Sequence, residues 1–292
     1  MKKKIIALLL CALMVFVTVA FAACSKTPAG TDEETTAAPG GEETTAAAPV
    51  VDDLAYVQDK GTMMIGYTDF APMNYMDKDG ELIGFDTDLA KAVCAKLGVT
   101  PVFQEIKWET KVINLDAKEI DCIWNGMTIR DELKAEIDFS EAYMANKQVV
   151  VIRAADADKY TDLASLAGAA VAVEAGSAGE DAAKADEGLS KNVIAVSAQT
   201  DALKEVKAGA SDVAVLDATM GYSMVGEGTD FSDLLVLDAF DDSANEEYGI
   251  GFRKGSTLTD AVNAALEALA ADGTLAQIAK TYGLETRILI GE

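Results

Sequence analysis

Cys24 is the first residue of the chain whose setting implies chemistry. It follows Phe21, Ala22 and Ala23 at the end of an uncharged run that begins at Ile5, behind Lys2, Lys3 and Lys4. A basic start, an apolar run and small residues before a cysteine make an export signal whose cysteine can take a lipid. Two other outcomes stay open, ordinary cleavage after Ala22 or an uncleaved helix, since the run is near the length that spans a bilayer. Farther along, the loop from Ala175 to Glu180 joins a strand-like run to a helical one. The amides of Ser177, Ala178 and Gly179 could there face an anion, although such Gly/Ser loops also serve as plain helix caps. Histidine is absent. That removes imidazole acid/base chemistry, His-based triads and His-ligated metals, and leaves carboxylate and lysine chemistry open. Cys94 and Cys122 each sit in an apolar pattern that suits buried thiols better than a disulfide.

The elements that must position these groups follow from periodicity. Short apolar runs alternate with helical patterns from Gly61 onward, which predicts parallel sheet covered by helices. The runs Thr62 to Tyr67, Pro101 to Ile106 and Ile120 to Gly126 form a first series, with helices at Thr87 to Leu97 and about Glu109 to Ala117. Asp86 stands where it could cap the first of those helices. Val149 to Ile152 opens a second series, continued by Ala170 to Glu174, Asn192 to Ser197, Asp212 to Asp217 and Leu234 to Asp238. Tyr248 to Gly255 is a last strand, and two helices with core-facing stripes finish the chain.

Residues 1–24 resemble a lipoprotein signal peptide with Cys24 in the lipobox, Phe21 standing where leucine is usual. Residues 25–53 repeat EETTAAP and EETTAAAP, hold no aromatic residue and read as a disordered tether. The formal charge is −25, and removing the three lysines with the signal takes it to −28. So acidic a chain repels nucleic acid and anionic head groups.

The ordered strings YTDFAPMNYMDKDGELIGFDTDLAKAV, IKWETKVINL, IDCIWNGMTI, IDFSEAY, VAVEAGSAGE and EEYGIGFRKGS resemble the extracellular solute-binding proteins of family 3. These are the receptors of ABC importers for polar amino acids. The resemblance implies an α/β, two-lobed, periplasmic-binding-protein-like fold of type II with two crossing hinge strands. Lobe 1 would comprise residues 54–148 and 250–292, with the hinge strands and lobe 2 at 149–249. Ligands of such α/β lobes lie beyond the carboxyl ends of strands, here in the cleft between lobes. The implied protein is a monomeric, lipid-anchored, extracytoplasmic binder of an amino acid or related amine, serving a membrane permease. It would need no cofactor or metal and carry out no catalysis. The alternatives on the same fold are a cyclohexadienyl-dehydratase-like enzyme, for which no extra acid stands out, and a ligand-sensing module.

Carried onto this chain, the resemblance nominates Asp69 and Phe70 after the first strand and Trp108 after the second, the two rings as walls on the ligand. Asn125, Gly126 and Thr128 fall on the segment that binds the ligand's amino and carboxylate groups, with Gly126 admitting backbone to the ligand. Ser177, Ala178 and Gly179 would meet an anion. Asp217 matches a carboxylate that pairs with the ligand ammonium, its alternative being a cap for the next helix. The arginine of a TxxR pattern, which grips a ligand carboxylate, is replaced by Leu133, while Arg130 holds the place of the threonine. Arg130 either reaches into the cleft, or the helix amides hold the carboxylate unaided, or the ligand has no α-carboxylate.

Overall fold

The structure, a computed structural model, describes residues 52–240 and 246–291. The signal peptide, Cys24 and nearly all of the tether lie outside the described residues. The tether's expected end does not. Asp52 caps helix α1 (Asp53–Lys60) by accepting from the Ala55 amide, and Asp53 is buried against Arg253, 2.9 Å away. The folded part therefore begins inside the segment assigned to the tether. Local composition conceals this because the partner of Asp53 lies at the far end of the sequence.

The first half runs through β1 (Thr62–Tyr67), the short hairpin β2 (Tyr75–Met76) and β3 (Leu82–Ile83), α2 (Phe85–Leu97), β4 (Thr100–Glu105) and α3 (Lys111–Asp116). It continues with β5 (Cys122–Thr128), α4 (Asp131–Glu136), β6 (Ile137–Phe139) and β7 (Met144–Asn146). The second half begins at β8 (Gln148–Arg153) and includes β9 (Val171–Glu174), α5 (Ala178–Ala185), β10 (Val193–Val196), α6 (Gln199–Ala208), β11 (Val213–Asp217), α7 (Ala218–Met224) and β12 (Leu234–Leu237). Strand β13 (Glu246–Arg253) returns to the first half, and α8 (Leu258–Ala271) and α9 (Thr274–Tyr282) follow.

Apart from the β2-β3 hairpin, these strands form two sheets, β4-β1-β5-β13-β6 with β7 also on β13, and β10-β9-β11-β8-β12. Each is the centre of one lobe. The parallel expectation holds for β4, β1 and β5 and for β10, β9 and β11. It fails for the strands that carry the chain between lobes, since β8 and β12 are antiparallel to their neighbours and β13 is antiparallel to β5, β6 and β7. A strand buried on both faces reads as an unbroken apolar run whichever way it points, so its direction is not in the pattern. Strand β5 is buried throughout, and β8 nearly so. Cys94 and Cys122 are free and buried, and burial raises the Cys94 thiol to about 12.

Candidate functional site

Strand register assembles the deepest part of the cleft. In β8 and β11, Gln148 lies opposite Asp217; in β7 and β13, Asn146 lies opposite Glu246. Asn146 and Gln148 are two residues apart along an extended segment, so their amides reach the same side. Asn146 Nδ2 donates to Asp217 Oδ1 and, at 3.1 Å, to Glu246 Oε2. Gln148 Nε2 donates to the same two oxygens at 3.0 and 2.8 Å. Gln199, at the start of α6, donates to Asp217 Oδ2 and accepts from the Asp217 amide at 3.0 Å. The Asp217 carboxylate makes no capping bond to α7, so the helix-cap alternative is not what this side chain does.

Glu174 ends β9, beside the carboxyl end of β11, and is buried. Its Oε1 lies 3.1 Å from Thr68 Oγ1, which is also 2.8 Å from Asn125 Oδ1. One hydroxyl proton cannot serve both acceptors at full strength, so a protonated Glu174 that donates to Thr68 completes the arrangement. Burial, with the Asp217 charge adding to it, raises Glu174 to about 8. Burial and the neighbouring Glu246 raise Asp217 to about 7, and burial also raises Glu246. No described ion pair involves these three acids; their hydrogen-bond partners among the described residues are amides and hydroxyls.

Between the lobes lies a cavity of about 10 Å³, lined by Trp108, Asn125, Gly126, Thr128, Glu174, Ser177, Ala178, Gln199 and Asp217. It has space for about one water molecule, so a solute can enter only when the lobes part. Seven of the expected residues reach this wall from four places in the two lobes: Trp108; Asn125, Gly126 and Thr128; Ser177 and Ala178; and Asp217.

Their individual roles differ from expectation in several places. Asn125 is a brace, donating to the Thr68 carbonyl at 2.9 Å and to Asn74 Oδ1 at 2.8 Å. Gly126 has φ +54°, and a Cβ there would stand 2.7 Å from Phe70 Cε1 and 3.1 Å from the Tyr248 ring. Glycine is thus required by the two rings beneath it. Phe70 is accordingly a core residue, edge-on to Tyr248 at 6.4 Å, and does not line the cavity. Trp108 does both jobs, lining the cavity and joining the apolar cluster of Leu115, Ile123 and Leu133. Thr128 donates to Glu246 at 3.3 Å.

Asp69 sits at the cleft's edge, its carbonyl accepting from Thr200 Oγ1 at 3.1 Å across the lobes. Ser177 caps α5 by accepting from the Glu180 amide at 3.0 Å, while Glu180 accepts from the Gly176 amide at 2.7 Å. Gly179 lies against the Val215 carbonyl, where a Cβ would come within 2.7 Å, and packs the helix onto β11. Asp86 does not cap α2. It lies inside the first turn, accepts from the Gly126 amide at 2.6 Å and from the Tyr143 hydroxyl at 2.9 Å, and is raised to about 7 by burial. It therefore positions Gly126.

Arg130 is outside the cavity. It precedes α4, contacts Asp181 and Glu132, and donates to the Gly176 carbonyl at 3.2 Å. Lys111 bridges the lobes beside it, donating to the Trp108 and Gly176 carbonyls at 3.2 and 3.0 Å, with its ammonium 4.7 Å from the Trp108 ring centroid. Burial, then the Arg130 charge, lowers Lys111 to about 8. Leu133 is buried in the Trp108 cluster.

Sequence reasoning missed Glu174, Gln199, Glu246, Asn146 and Gln148. Glu174 had a signal, since it ends its strand as Asp217 does, at the edge where α/β ligands gather. The other four depend on register and lobe closure.

Two α/β lobes, joined by antiparallel strands and meeting over a polar cavity, define a two-lobed solute-binding protein. The profile of the bacterial extracellular solute-binding proteins, family 3, matches residues 63–285, and the chain belongs to that family. It is 28% identical over 233 residues to the L-cystine-binding protein TcyJ of Escherichia coli, covering 77% of this chain and 84% of that protein. An ABC uptake transporter substrate-binding protein from Streptococcus pneumoniae, solved with bound histidine, superposes with TM-score 0.72 at 29% identity, covering 79% of this chain and 96% of that one. The ancestral amino-acid-binding protein AncCDT-1, a precursor of cyclohexadienyl dehydratase, superposes with TM-score 0.71 at 31% identity, covering 79% and 99%.

Proposed function

We propose that this chain is the extracytoplasmic, lipid-anchored binding component of an ABC importer, a monomer that captures a small amino-acid-like or amine solute between its lobes. Lobe 1 is taken as residues 54–148 and 250–292 and lobe 2 with its hinge strands as 149–249. The observation that carries this reading is the closed cleft itself, in which groups from both lobes converge on Asp217, whose carboxylate is spent on no helix cap. Opening admits solute, closure removes it from water, and the closed shape is what a permease recognises. The similar proteins bind cystine and histidine, which supports the solute class. A thermal-shift screen of amino acids, amines and small carboxylates tests it, because a ligand of the native state raises the melting temperature. Silence across the panel would defeat the reading. For the anchor, Cys24→Ser should release the protein from membranes or leave it unprocessed, whereas a soluble wild type beginning at Ala23 would mean ordinary cleavage.

One observation favours a second reading, an enzyme of the cyclohexadienyl-dehydratase kind. Glu174 is a buried, protonatable acid at the cleft, which such an elimination needs to expel water. Against it, those substrates carry carboxylates, and the cavity wall offers acids and no cationic side chain. Turnover of prephenate or arogenate by the wild type, lost in Glu174→Gln, would decide for the enzyme.

A further inference from the structure

The charge balance of the cleft narrows the solute class. Glu174 and Asp217 line the cavity and Glu246 shares the Asn146 and Gln148 amides with Asp217, so three carboxyl groups converge on one small space. Among the described residues, no lysine or arginine lines that cavity. Two cations stand outside it, Lys111 on the Trp108 and Gly176 carbonyls and Arg130 on Asp181, Glu132 and Gly176, and act on Glu174 and Glu246 only through space. Leu133, buried among apolar side chains, offers no donor. Gln148, 5% exposed, holds Asp217 and Glu246 together by donating its Nε2 to both.

A buried carboxylate without a cation is costly, and removing one partner of a buried pair costs several kcal/mol. The empty fold meets that cost with neutral amide donors and bound protons. A ligand that brings its own charge can meet it better. An ammonium offers three donors and no acceptor, which suits the carboxyl oxygens of Glu174 and Asp217 in that wall. A carboxylate on the same ligand would find no described cationic side chain in this wall, only the neutral donors of Thr128, Ser177, Ala178 and Gln199.

We propose, resting on the solute-binding reading, that the cleft takes a short aliphatic diamine: one ammonium held by Asp217 and Glu246, the other by Glu174, and no free carboxylate. Glu174 and Asp217 end the neighbouring strands β9 and β11, so they are separate anchors on one floor. Cadaverine and lysine carry the same two amines and differ by a carboxylate, as do putrescine and ornithine. These pairs isolate the one group at issue.

Isothermal calorimetry on the full-length chain in mild detergent, with putrescine, cadaverine, butylamine, ornithine, lysine and histidine, tests the proposal. A diamine should bind at least about tenfold more tightly than the amino acid with the same amines. Glu174→Gln should remove most of the preference for putrescine over butylamine, a ratio that a merely structural role would leave in place. Tighter binding of lysine, ornithine or histidine than of either diamine would overturn the proposal and leave the solute-binding reading standing. A putrescine preference that survives Glu174→Gln would also overturn it. Binding of nothing in this panel or among other small solutes would defeat both.

Discussion

Inside the cleft, Glu174, Asp217 and Glu246 meet neutral amides and hydroxyls; at its rim, Arg130 meets Asp181 and Glu132, and Lys111 reaches across to the Gly176 carbonyl. The two regions hold charge in opposite ways. At the rim Asp181 and Glu132 are more than half exposed, so those pairs are screened and contribute little, about 0–1 kcal/mol each. They can close the lobes and release them cheaply. On the floor Glu174 and Asp217 are buried and Glu246 partly so, and no described ion pair reaches them, so an ionised acid there is costly until a cation meets it.

The largest expected effect comes from breaking the floor. Asp217→Asn should weaken an ammonium-bearing ligand by at least two orders of magnitude, corresponding to about 3–5 kcal/mol for a buried pair that loses one partner, with the fold retained. Calorimetry with circular dichroism checks both halves. Unchanged affinity would demote Asp217 to a structural residue and dissolve the contrast.

Next is the support beneath the floor. Gly126→Ala forces a Cβ onto the Phe70 ring at a positive φ, and should cost about 1–3 kcal/mol of stability as well as affinity. Denaturant unfolding of the empty protein measures the first term. A neutral result would mean that Phe70 and Tyr248 yield easily.

The dry acids should also show in pH dependence. Burial, aided by Glu246, raises Asp217 to about 7, and burial raises Glu174 to about 8 and Asp86 to about 7. The folded protein thus keeps protons that the unfolded chain gives up near the ordinary carboxylate range. The contribution of these three groups to the stability of the empty protein is therefore fullest below about pH 4 and is lost as pH rises toward about 7 to 8, by at most about 1.4 kcal/mol per pH unit for each group. Thermal melts across that window should fall, and Glu174→Gln should flatten the upper part. Melts that rise with pH would show these acids to be ionised and stabilised in the fold.

The smallest effect belongs to the rim. Arg130→Ala should change stability by less than about 1 kcal/mol and should leave a bound ligand's calorimetric enthalpy nearly as it was. A loss as large as that of Asp217→Asn would place Arg130 in the site after all, and the floor and rim would no longer differ.

Much of the architecture was legible in the chain. The strands Thr62–Tyr67 and Val213–Asp217 stand where their apolar runs place them, and the glycines at 98 and 209 end α2 and α6 in the left-handed conformation. Those features are local, governed by side-chain period and by backbone freedom. The hairpin of β2 and β3 and the short strands β6 and β7 left no such trace, since two or three residues are too few to show a period, and the antiparallel course of β8 and β13 left none because an apolar run does not carry direction.

The candidate site divides along the same line. Sequence by itself determined which residues end strands and open helices, and so brought Trp108, Asn125, Gly126, Thr128, Ser177, Ala178 and Asp217 into consideration. Tertiary structure decided that Phe70 props up Gly126, that Arg130 guards the rim, and that Glu174 stands with Asp217 on the floor. It also decided that Asn146 and Gln148 tie Asp217 to Glu246 from the other lobe's return strand. The reason is one of range. Caps and periods depend on neighbours a few residues away, whereas the charge state of a buried acid depends on which distant groups the folded chain sets against it and on how much water closure removes.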